Sequence, residues 1–168
     1  LIYIGLFGLS FFGLIIGISQ IQINTKITLP RKGINNFLII SGTALFVAWL
    51  PDILASLANG RSLALIEVYT TEITYVLDMG LISPLCFVCI YLLNKEKRMG
   101  YILLAIMLTV GIFVGFMVII QTLFQMHYEI AIPIMALITK VAIFTVLAIA
   151  AIYFEVKLFK AIKQSANP

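Results

Sequence analysis

Charge is scarce in this chain. Lys and Arg total 11, Asp and Glu total 7, and 62% of the 168 positions are hydrophobic. A soluble domain is about half apolar and about a quarter charged. One water-facing core could not hide this much apolar surface, so the composition points away from a soluble globule and toward lipid as the solvent. Chemistry-bearing patterns are equally sparse. The sequence holds no GxSxG, HExxH, Walker A or GxGxxG pattern, so no catalytic motif is visible and no cofactor is expected. The only histidine is His127, and a zinc site would need further ligands beside it. The Cys86-Phe87-Val88-Cys89 pair lies among Leu, Phe and Ile. It reads as small apolar packing and not as a redox site, which needs an accessible, activated thiol.

Long apolar runs fill the space that charge leaves. A membrane-spanning helix needs about 20 mostly apolar residues. Five stretches qualify: about Leu1–Ile18, Phe37–Leu57, Ile73–Leu93, Tyr101–Phe124 and Ile130–Phe154. They lack the period-2 alternation of barrel strands. The expected fold is an all-α integral membrane protein, a single multi-pass domain built as a bundle of about five transmembrane helices. The chain opens on Leu1 inside an apolar run. A further N-terminal segment ahead of it would not change the orientation of the rest.

Basic residues set that orientation. Lys26, Arg31 and Lys32 lie in the first connection, Lys95, Lys97 and Arg98 in the third, and Lys157, Lys160 and Lys163 in the tail. The second connection has only Arg61 and the fourth has none. By the positive-inside rule the first and third connections and the C-terminus are cytoplasmic, and Leu1 is outside. The net charge of +4 is therefore a topology signal and not a nucleic-acid signal. Residues 155–168 form a basic amphipathic tail suited to the anionic inner leaflet. The expected location is the cell (plasma) membrane, with the lipid bilayer as the first partner. Trp49, Tyr69 and Tyr128 fit an interfacial aromatic belt.

Two GxxxG pairs, Gly13/Gly17 and Gly111/Gly115, let helix backbones approach closely where no hydrophobic effect drives association. They suit packing within the chain, with Ala148, Ala150 and Ala151 as a further close contact. They also suit a membrane protein partner or a homo-oligomer.

Two charges stand out inside apolar runs, Asp78 and Lys140. Charge in hydrocarbon is costly, so such residues face a protein interior or a cavity and mark a candidate site. Asp52 lies at a similar depth to Asp78, and Lys140 can snorkel toward that level. Pro51 and Pro84 are placed to kink their helices and free carbonyls. With Glu72, Tyr75, Gln121 and His127, these residues outline an outward-facing polar site. The outer excess of acids suits a small cationic or zwitterionic ligand, or an ion, in transport or membrane-embedded binding. Two other readings stand beside it. One is a structural or regulatory subunit in which Asp78 and Lys140 simply pair. The other is an enzyme acting on lipid at the outer leaflet through Asp52, Asp78 or His127, which has no nucleophile–base arrangement to support it.

Overall fold

The computed structural model describes residues 2–21, 27–60, 76–129, 134 and 137–166. These form helices and short turns, with no strand among the described residues. Helix α1 spans Ile2–Gln20 and α2 spans Arg31–Asn59. Helix α3, Asp78–Asn94, opens with a π-helical turn, Asp78–Ile82. Helix α4 is Arg98–His127. Helix α5 covers 137–166, a π-helical turn Leu137–Ala142 followed by α-helix Ile143–Ala166.

Helices α2 and α4, 29 and 30 residues long, are long and apolar enough to cross a membrane. Only 24% and 28% of their most apolar stretches are buried. Val47, Leu54, Phe113, Leu123, Val146 and Ile149 all point outward and are more than half exposed. Each helix extends beyond the run expected for it. The Arg31–Asn36 turn joins α2 and the Arg98–Gly100 turn joins α4, because packing at the basic end completes both helices.

Helices α2 to α5 pack as an antiparallel ring in which each contacts the next and α5 returns to α2. The sequence dictates the tightest contacts. Helix α3 turns into α4 through only Lys95, Glu96 and Lys97. The Glu96 N–H bonds the Leu93 carbonyl at 3.0 Å and the Lys97 N–H bonds the Leu92 carbonyl at 3.0 Å. This is a Schellman C-cap, with Glu96 at φ 54° in a position that favours glycine. A Cβ on Gly100 would lie 2.7 Å from the Leu93 nitrogen, so only glycine lets α4 start this close to α3. The Cys89 thiol reaches the Gly100 carbonyl at 3.6 Å across the same seam.

The second tight seam is α4 against α5. A Cβ on Gly111 would touch the Ala151 methyl at 3.7 Å, and one on Gly115 would collide with Ala148. This GxxxG pair therefore packs within the chain, and its partners are the alanines read from the sequence as a separate close contact. Around Gly13 and Gly17 on α1, nothing described lies within 4 Å of an added Cβ.

The three basic segments gather at one end of the ring. Arg31 at the start of α2 pairs with Glu96 at 2.8 Å, and Asn35 Nδ2 donates to Asn94 Oδ1 at 3.0 Å. Phe154, just ahead of the tail lysines, meets Phe37 with ring centroids 5.5 Å apart. Below this rim the core is closed by Ile34, Leu38, Leu104, Leu108 and Leu158, each at most 1% exposed.

Candidate functional site

Asp78 lies far from that rim. It starts the π-turn of α3 and is 8% exposed. The turn has a local cause. Pro84, two residues past its end, has no N–H to return to the preceding turn, while its ring crowds the carbonyl four residues back. The ladder slips by one residue: the Ser83 N–H bonds the Asp78 carbonyl, five positions earlier. Single π-turns of this kind are enriched at functional sites. Ser83 Oγ then donates to the Gly42 carbonyl at 2.7 Å, which ties α3 to α2 below the turn.

The partner of Asp78 among the described residues is Trp49, whose Nε1–H donates to Oδ2 at 2.9 Å. Trp49 is only 9% exposed. This corrects the expectation that it belongs to an interfacial aromatic belt: it turns inward and donates to a buried carboxylate. Trp49 stands about 27 Å along α2 from Arg31. The pair therefore sits toward the end of the ring opposite the basic rim.

Beneath the pair is a cavity of about 60 Å³ between α2, α3, α4 and α5. Among the described residues its oxygen-bearing side chains are Asp78 and Ser41; Leu45, Met107, Val110 and Phe144 contribute to an otherwise mostly apolar wall. Ser41 Oγ is buried without a hydrogen-bond partner. Neighbouring hydroxyls in the ring behave differently. Thr109 donates to Glu155 Oε1 at 2.6 Å, while Thr122 and Thr145 donate to carbonyls one turn back, each at 2.7 Å. A buried polar group left unbonded costs about 1–3 kcal/mol, which sets Ser41 apart from these threonines.

The expected site residues divide as follows. Asp78 lines the cavity. Lys140 lies in the π-turn of α5, one turn before Phe144 of the cavity wall, and Asp52 lies one turn beyond Trp49 on α2; the side chains of both are outside the described residues. Glu72 and Tyr75 are also outside them. Gln121 and His127 are exposed on the last turns of α4, where His127 packs edge-on against Tyr128 at 5.3 Å. Ser41 and Trp49 were missed as site residues. Ser41 carried no pattern that marks it, and Trp49 carried one that assigned it to the lipid interface.

Cys86 and Cys89 are both buried, at 2% and 0% exposure, and Cys86 lines the cavity beside Ile82. Their place is consistent with apolar packing. No group of three or more metal-ligating side chains occurs among the described residues. Compared with protein-family models, curated proteins and solved structures, the chain matches none.

Proposed function

We propose that this chain is a multi-pass integral membrane protein of the cell membrane, with its basic end cytoplasmic, and that it holds a small cation or zwitterion beside Asp78. The single observation that carries this reading is a buried carboxylate opening on a cavity deep in an apolar helix ring. Such groups are costly in lipid and are associated with ligand and ion paths. The outward apolar faces of α2, α4 and α5 support insertion, since exposed patches of this extent require lipid or a partner. The gathering of Arg31, Lys32, Lys95, Lys97, Arg98 and the tail lysines at one end supports the orientation.

A second reading, a structural or regulatory membrane subunit, draws on the Trp49–Asp78 bond itself. That bond joins α2 to α3 and could be the whole purpose of the carboxylate. The exposed described face of α1, with Gly13 and Gly17, would then receive partner helices.

The two readings separate in one experiment. Trp49 is the only tryptophan and it touches Asp78 directly, so its emission reports the carboxylate. In lipid nanodiscs, sodium, potassium, ammonium, ethylammonium and glycine are titrated in turn. A saturable emission change with at least one of them, absent in Asp78→Asn, is the expected result. An unchanging spectrum across the whole panel sinks the ligand reading.

A further inference from the structure

We propose that the outward face of α5 binds one anionic phospholipid of the cytoplasmic leaflet, with Lys157 and Lys160 on the headgroup phosphate and Val146 and Ile149 along an acyl chain. The proposal rests on the membrane reading above and is independent of any ligand at Asp78.

Helix α5 stays packed on the ring almost to its end. Glu155 accepts a hydrogen bond from Thr109 of α4, Leu158 is fully buried, and Ala161 and Ile162 pack against the same core. The tail lysines therefore stand on an upright helix and not on a segment laid along the membrane surface. Val146, Ile149, Tyr153, Lys157, Lys160 and Gln164 recur at steps of three and four, so they share one stripe of the α-helix Ile143–Ala166. All six are exposed.

Along this stripe hydrocarbon gives way to a phenol and then to ammonium groups. That is the order of a phospholipid from chain to headgroup. The length agrees. Val146 to Lys157 is roughly 16 Å along the helix, about half of a hydrocarbon core of ~30 Å and so about one leaflet.

Charge selects the headgroup. Glu155 is the one acid of α5, and it meets α4 on the side opposite the stripe. The ion pair among the described residues is Arg31–Glu96, so neither stripe lysine is neutralised there. Lys157 Nζ lies 5.3 Å from the centre of the Tyr153 ring. This cation–π contact holds the ammonium against the helix where the apolar part meets the basic part. A lipid phosphate completes the arrangement by accepting N–H bonds from both lysines. Phosphatidylcholine brings its own cation and gains less. A free phosphate gains the lysines but leaves Val146 and Ile149 uncovered.

The test is native mass spectrometry of the protein released from detergent, with phosphatidylglycerol, phosphatidylcholine or glycerol 3-phosphate added. One phosphatidylglycerol per chain is expected to stay bound, about tenfold more tightly than phosphatidylcholine, and glycerol 3-phosphate should not compete with it. Lys157→Gln and Lys160→Gln should each weaken retention about fivefold, and the double variant about thirtyfold, with the melting temperature nearly unchanged. Lys95→Gln and Lys97→Gln remove the same charge from the α3–α4 turn and should leave retention nearly unchanged.

Equal losses in Lys95→Gln and Lys157→Gln would overturn the site in favour of a diffuse basic rim. Equal retention of the two lipids would overturn charge as the selector, and the proposal with it. A chain that carries no lipid would overturn the proposal outright, and a protein bound in its stead would assign the stripe to a partner helix. The membrane reading fails separately, if the chain stays folded in water without detergent.

Discussion

At the basic end of the ring, helices are tied several times over. Arg31 meets Glu96, Asn35 meets Asn94, Phe37 meets Phe154, and α3 and α4 touch backbone to backbone at Gly100. At the Asp78 level the described helices share one side-chain hydrogen bond, two π-turns and a cavity. Several contacts of different kinds converge on the basic end, while the described contact at the other end is a single buried polar pair beside a cavity. The two ends are held by different means: backbone approach and surface pairs at one, a buried indole–carboxylate bond at the other.

The sharpest way to break this comparison is at the basic end. Gly100→Ala places a methyl against the Leu92 and Leu93 backbone, which cannot give way as a side chain can. We expect a loss of about 3 kcal/mol or more, at the upper end for overpacking, read as a collapse of the melting temperature in detergent. Gly115→Ala should cost about 1–3 kcal/mol through its collision with Ala148. Adding Ala148→Gly should restore most of it. A double variant no better than the single one would show that the α4–α5 seam is not built on that contact.

Next in size is the bond at the site. Trp49→Phe leaves the Asp78 carboxylate buried without its indole donor, a loss of about 1–3 kcal/mol. Combining it with Asp78→Leu should cost less than the sum of the two changes, with a coupling of about 1 kcal/mol. Additive losses in chemical unfolding would deny that the two side chains act as a pair. The smallest effects belong to the rim. Arg31 and Glu96 are 39% and 60% exposed, and Arg31→Ala should change stability by less than about 1 kcal/mol. Glu96→Gly loses that pair but relieves a left-handed backbone at φ 54°. The two terms offset, and the melting temperature should stay level or rise slightly.

The apolar runs revealed the helices, and Gly111, Gly115 and the fifth-helix alanines each marked a close contact, because both signals depend on local sequence; that they meet each other was not legible. Asp78 was legible for the same reason: a carboxylate in such a run is anomalous wherever the chain folds. Trp49 and Ser41 were not. Which way a tryptophan faces depends on how α2 is rotated against α3, and that rotation is set by Gly42, Ser83 and Cys86 packing across the interface. Ser41 gains meaning only when four helices leave a gap beside it. Pro84 announced a disturbance in α3, but a π-turn and a simple kink satisfy the same missing N–H, and packing chose between them.

The two cysteines, buried against Gly42 and Gly100, have a practical consequence. While the ring is closed, the protein should be silent to maleimide, and heating should release two thiols as α3 parts from α2 and α4. Counting labelled thiols against time would then clock the opening of this seam. It would also leave a clean background on which one introduced cysteine, at Asn59 or Lys163, could report the side of the bilayer it occupies.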